Sequence, residues 1–208
     1  MPMTSRSPAK APITPAAPER RAFAAGILDA VAGLSHHAPV LCLATAVVFA
    51  AMTALEFFYF QNLSGGLLSL DLHVFGFTPD EGMAWLTALG RRGSEIVIVW
   101  HYLTLDLLFP ALFSATLVSL LLETGRRLPR FAALSPCGQA LLALGLVLPY
   151  TLAEYMQTLA VIRLLSDFLN ADPDSLALAS SLTVTSFALA AVPVIVVAAF
   201  YLTGRRRA

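Results

Sequence analysis

Residues 95–122 read EIVIVWHYLTLDLLFPALFSATLVSLLL. Apart from the glutamate that opens it and a scatter of small hydroxyls, the stretch is apolar except for His101, Tyr102 and Asp106. It exceeds the ~20 residues that a helix rising 1.5 Å per residue needs to cross ~30 Å of hydrocarbon. Three more stretches of that kind follow the same rule: 40–60, 140–164 and 176–203. One such run can be the buried helix of a water-soluble core, but four cannot reasonably share that explanation. With 58% hydrophobic and 12% charged residues in a chain of 208, the composition departs from soluble domains in the same direction. The expected fold class is all-α, a transmembrane four-helix bundle. Residues 39–204 form that domain, and the lipid bilayer is its first partner.

The leader MPMTSRSPAKAPITPAAPERR is rich in proline and alanine and places no apolar core straight after a basic start, as a secretory signal would. Residues 1–38 therefore read as a disordered tail, with AFAAGILDAVAGL at 22–34 a candidate short surface helix.

The formal net charge is zero, which gives no case for nucleic-acid binding. The placement of the charges is more informative. With four spans, both termini share a side. Arg6, Lys10, Arg20, Arg21, Arg126, Arg127, Arg130, Arg205, Arg206 and Arg207, ten of the thirteen basic residues, fall on it. The positive-inside rule then puts both termini in the cytoplasm, as expected of a bacterial inner-membrane protein. The other side is acidic, with Asp71, Asp80, Glu81, Glu95, Asp167, Asp172 and Asp174. These read as solvated loop carboxylates. Cys42 and Cys137 form no C-x-x-C pair and face the reducing side, which argues against a disulfide-forming membrane enzyme.

The first outer loop, 61–95, is too long for a plain connection. In TPDEGMAWLTALG, Thr78 is an N-cap, Pro79 suits the first helical position and Glu81 completes a capping box. Gly90 is a C-terminal stop. Met83, Trp85, Leu86 and Leu89 give this short amphipathic helix an apolar side with an interfacial tryptophan, and it is expected to lie on the outer membrane surface.

Within the spans stand Glu56, His101, Asp106 and Glu154. A carboxylate at mid-bilayer costs roughly 2.5–3.5 kcal/mol on insertion scales and normally turns to the bundle interior. Counting from the outer ends puts Asp106 ~16 Å deep, Glu154 ~15 Å, His101 ~9 Å and Glu56 ~6 Å. Asp106 and Glu154 thus meet at one level, in a polar pocket opening outward, while Glu56 is near enough to the interface to snorkel. Pro110 cannot donate to the carbonyl of Asp106, so an acceptor-rich point arises there. Tyr102, one turn above, is a ready donor, and Tyr155 and Gln157 flank Glu154. Ser180, Ser181, Thr183, Thr185 and Ser186 offer more hydroxyls. Ala46, Ala50 and Ala54 recur every fourth residue as packing positions.

The candidate ligand- or proton-binding set is therefore Asp106, Glu154, His101, Tyr102, Glu56 and Gln157. The bland alternative is that these residues are hydrogen-bonding glue between helices. A zinc or iron site would suit the ligand types, but His101 and Asp106 lie about 140° apart on an α-helix. No H-x-x-x-H or E-x-x-H pair appears, and no phosphate loop, dinucleotide fingerprint or nucleophile elbow. No cofactor or catalytic residue is assigned on these grounds.

DLHVFGFTPDE, LGRRGSE and LDLLFPALF together resemble an uncharacterised bacterial family of four-span integral membrane proteins. Its pattern is an Asp before an (F/Y)-G-(F/Y)-(T/S) turn, an L-G-x-x-G-R segment and L-D-x-x-F-P. Asp71, Phe75, Gly76, Phe77, Thr78, the Leu89–Gly93 region, Asp106, Phe109 and Pro110 carry the likeness. The family's third-span D-Y-x-E-N maps to Glu154, Tyr155, Gln157 and Thr158, so one acid is an amide here. The resemblance implies the four-span fold and no particular activity.

The functional expectation is a site that binds or translocates a small polar or amphipathic molecule, a proton or cation being the coupled species. A membrane-embedded enzyme acting on lipid, metal-assisted or not, and an accessory subunit are the alternatives. Protein partners are not indicated.

Overall fold

The computed structural model describes residues 26–205, and the leader 1–25 lies outside them. Four helices are long and apolar enough to cross a membrane: α1 (Gly26–Leu63), α2 (Pro79–Gly125), α3 (Pro136–Ser166) and α4 (Pro173–Arg205). No strand occurs among the described residues. Residues 26–37, assigned to the tail by sequence, are helical and run directly into the first apolar stretch.

Helix starts follow local chemistry. α2, α3 and α4 each begin on a proline, whose missing N–H is no loss in the first turn. Thr78 and Glu81 form the reciprocal capping box ahead of α2, and the Ser135 hydroxyl accepts from the Gly138 amide ahead of α3. Asp172 does the same for α4, accepting from the Ser175 amide at 2.9 Å and the Ser175 hydroxyl at 2.7 Å. Gly90, at φ 57° and ψ −173°, breaks α2 into a short leading segment and the long apolar rod. Only glycine adopts that backbone without strain. The leading segment does not lie with its tryptophan at a free surface. Trp85 and Leu86 are 2% and 0% exposed, packed against Leu164, Leu165 and Leu176 of α3 and α4.

α2 is the central helix, packed against α1, α3 and α4, and α3 runs along α4; α1 packs extensively only on α2. Two apolar clusters stack along the bundle. One, at the end that carries the 64–78 connection, holds Phe60, Leu70, Trp85, Leu86, Tyr102, Val161 and Leu176. The other, toward the termini, holds Leu117, Val118, Leu121, Leu122, Ala143 and Val147. At the terminal end Arg126 ties three elements together, donating to Gln139, to Ser35 and to the Ala32 carbonyl.

The outward faces are apolar as well: Leu43, Phe58, Leu152, Leu159, Ile195 and Leu202 are all exposed. Helices greasy on both faces suit hydrocarbon surroundings and would expose too large an apolar patch in water. Ala46, Ala50 and Ala54 belong to that exposed surface rather than to a packing seam. The interior face of α1 runs instead through Thr45, whose hydroxyl bonds that of Thr116 at 2.8 Å.

Candidate functional site

Between the two apolar clusters lies a cavity of about 460 Å³. Glu56, Asp71, Asp106 and Glu154 line it together with His101. Most of the remaining wall is apolar and aromatic: Phe49, Phe57, Phe109, Phe113, Tyr150 and Phe187. No lysine or arginine takes part.

Backbone geometry brings these groups together. The helix is π-wound over Ile98–Leu105, and the Asp106 amide donates to the carbonyl of His101, five residues back. Winding with i→i+5 bonds takes more residues per turn than an α-helix, so residues five apart come nearer to one face. The 140° separation expected for an α-helix therefore narrows, and His101 and Asp106 both line one cavity. A second π turn, Glu56–Phe60, opens on Glu56 in α1, where the Gln61 amide donates to the Glu56 carbonyl. Single π turns inside α-helices recur at functional sites.

Asp71 is the hub. Its Oδ1 accepts from the Tyr102 hydroxyl at 2.9 Å and from Gln157 Nε2 at 2.6 Å. Its Oδ2 lies 3.0 Å from His101 Nε2. The assignment of Asp71 to a solvated loop is thus overturned: the chain turns back over Leu70–Leu72 and lowers that carboxylate onto α2 and α3. The apolar neighbours of Asp71 in LLSLDLHVF were the available signal, since a solvated acid has no need of them. Tyr102 accordingly serves Asp71 and not Asp106.

Glu56 is 3% exposed and does not snorkel. One oxygen accepts from the Ser69 amide at 3.0 Å and the other from the Ser69 hydroxyl at 2.6 Å. Asp106 accepts from the Thr158 hydroxyl through Oδ2. Ser69 and Thr158 were not singled out as site residues by sequence, because isolated hydroxyls carry no pattern. Tyr155 donates to the Leu107 carbonyl at 3.0 Å, next to Asp106. Glu154 lines the cavity beside Ser186, whose hydroxyl lies 3.0 Å from the Thr183 carbonyl and is shared with the Glu154 carboxylate. Ser180 has a different task, accepting from the Phe77 amide at 2.8 Å. Ser181, Thr183 and Thr185 bond carbonyls of their own helix.

His101 is 5% exposed, set edge-on to Phe60 and Tyr102. Its Nδ1 is buried without a hydrogen-bond partner. Among the described residues, no group of three or more His, Cys, Asp or Glu side chains is arranged to hold a metal ion. Both cysteines are free thiols.

Comparison of the chain with protein-family models, with curated proteins and with solved structures finds no match in any of the three. The site's chemistry must therefore be read from its own geometry. Four acids and one imidazole, set in an aromatic wall, make a place that attracts positive charge and hydrogen-bond donors and repels anions.

Proposed function

We propose that this chain is a small integral protein of the bacterial inner membrane, both termini cytoplasmic, whose intramembrane carboxylate site binds or translocates a small polar or amphipathic molecule. The end bearing the 64–78 connection and the short helix after Thr78 is then the outer side. The charge asymmetry supports that orientation, because the Arg126-bearing end gathers the basic residues. The observation that carries the functional reading is the clustering of Glu56, Asp71, Asp106, Glu154 and His101 around one cavity. Polar groups kept only as glue tend to bond each other and leave no room, whereas ligand sites are concave, mostly apolar and set with a few polar groups. Ionisable groups within spans, so arranged, default to substrate, ion or proton handling.

The test is native mass spectrometry of wild type, Asp106→Asn and Glu154→Gln in mild detergent. Retained folding with loss of a bound species or of uptake supports the reading. Wild-type protein that carries and takes up nothing, with variants equally or more stable, counts against it.

A membrane-embedded enzyme acting on lipid is the second reading. The Asp71–His101 contact favours it, since a carboxylate on one imidazole nitrogen fixes the ring's tautomer and orientation, as general bases require. Lipid turnover that vanishes in His101→Gln would bring it to the front.

A further inference from the structure

The cavity's outline and its hydrogen-bond ledger narrow the ligand. Phe49, Thr53 and Phe57 of α1 and Phe187 of α4 line the cavity while remaining exposed on the outside of the bundle. α1 packs on α2 and makes no extensive contact with α4. The cavity therefore opens sideways, through the slot between α1 and α4, and not only toward the end of the bundle. Its back wall is α2 and α3, where Asp106 and Glu154 sit.

The polar groups there divide into those already satisfied and those left open. Both Glu56 oxygens are occupied by Ser69, and both Asp71 oxygens by Tyr102, Gln157 and His101. Asp106 has one oxygen on Thr158 and its other oxygen free of protein donors. Glu154 has a single protein donor, the Ser186 hydroxyl that it shares with the Thr183 carbonyl, which leaves at least one of its oxygens open. His101 Nδ1 is buried away from the cavity surface, and the ring's other nitrogen is held by Asp71, so the imidazole is left to that carboxylate. Two carboxylates with open oxygens, Asp106 and Glu154, thus face a cavity with no basic side chain. A primary ammonium carries three N–H donors and one positive charge. Carboxylate, sulfate or phosphate heads would meet acids without a counter-ion.

Resting on the binding reading above, we infer that the ligand is a long-chain primary amine, a cationic amphiphile that enters from the bilayer through the α1–α4 slot. Its chain lies along Phe49, Phe57, Phe109, Phe113 and Phe187, and its ammonium reaches Asp106 and Glu154.

The experiment titrates four probes against the full chain in a non-ionic maltoside detergent, with native mass spectrometry counting bound molecules: dodecylamine, dodecanol, dodecanoate and propylamine. Dodecylamine is expected to bind at least about tenfold more tightly than dodecanol, the scale of a charge-assisted hydrogen bond, and dodecanoate not at all. Glu154→Gln should reduce that preference to within about twofold, and Ala190→Phe should weaken both twelve-carbon probes alike by filling the slot. Equal binding of amine and alcohol, or binding of dodecanoate, overturns the head-group assignment and leaves the binding reading standing. Propylamine as tight as dodecylamine overturns the chain seat and the lateral route. Failure of all four probes overturns the amine inference, and the binding reading falls with it only if the untreated wild-type protein also carries no bound species. Should Ala190→Phe not fold, the head-group ranking in wild type and Glu154→Gln decides alone.

Discussion

The amide of Asp106 donates to the carbonyl of His101, five residues earlier, and this π-type bond turns the imidazole and the carboxylate toward the same cavity. In a regular α-helix the two would diverge by about 140°. The site is therefore a property of backbone winding as much as of side-chain identity.

Inserting one alanine after Leu103, whose side chain is exposed on the outside of the bundle, should add about 100° of helical rotation between His101 and Asp106. His101 and Tyr102 then lose their bonds to Asp71 or Asp106 leaves the cavity. The insertion variant is expected to remain helical by circular dichroism, to unfold at lower denaturant and to lose the amine preference. Deleting Leu103 instead leaves His101 and Asp106 four apart, about 40° from each other on an α-helix, and should be the milder change; Leu103→Ala, which keeps the residue count, should do none of this. If the insertion leaves stability and binding unchanged, the register between His101 and Asp106 has no part in the site.

Asp71 accepts three hydrogen bonds from α2 and α3, so removing it strands three buried or half-buried donors. Asp71→Ala is expected to destabilise by about 2–4 kcal/mol, the range for leaving several polar groups unpaired. The direct worth of one contact is smaller. A double-mutant cycle of Asp71→Asn with Tyr102→Phe should give a coupling of about 0.6–1.7 kcal/mol, as for other bonds between membrane helices. Unfolding in mixed micelles measures both, and a coupling near zero would mean that Tyr102 and Asp71 do not interact in the folded protein.

Long apolar runs disclosed the four helices because hydrocarbon thickness sets their length. Thr78, Glu81 and Gly90 disclosed the break in α2 because capping is local chemistry. Asp106, Glu154 and His101 were legible as interior groups for the same reason, charge being costly in that setting. At Asp71 the apolar neighbours hinted at burial, but its partners were not legible. Its role comes from a loop folding back across 30 residues of chain to His101, and no local pattern encodes that return. The π-winding was hidden too, since no residue in 98–105 is reserved for it. Small-residue spacing misled at Ala46, Ala50 and Ala54, which is understandable: alanine suits a lipid-facing helix as well as a packed one.

Gly76 holds the loop that returns Asp71. Its φ of 86° lies in the left-handed region, and a Cβ there would stand 2.8 Å from Ser180 Oγ, the acceptor for the Phe77 amide. Gly76→Ala combines backbone strain with a displaced hydrogen bond. A loss of more than about 1 kcal/mol is expected, with faster amide exchange at Phe77. Ser180→Ala removes the bond without the strain and should cost less. Equal effects from the two substitutions would show that the backbone conformation contributes nothing.

Asp172 offers a pH-dependent contrast outside the spans. Hydrogen bonds from the Ser175 side chain and amide hold its carboxyl below the ordinary aspartate value of 3.8. A group with a depressed folded-state value stabilises the fold fully above the unfolded value and loses that contribution as pH falls through the folded one. The first turn of α4 should thus stay capped from neutral pH down to about 4 and fray below it. Amide exchange at Ser175, followed from pH 7 to 3 and corrected for intrinsic rates, is expected to show protection falling only at the acid end. In Asp172→Ala protection should be low throughout and independent of pH. Protection in the variant matching wild type at pH 7 would mean that Pro173 alone starts the helix and the carboxylate cap is incidental.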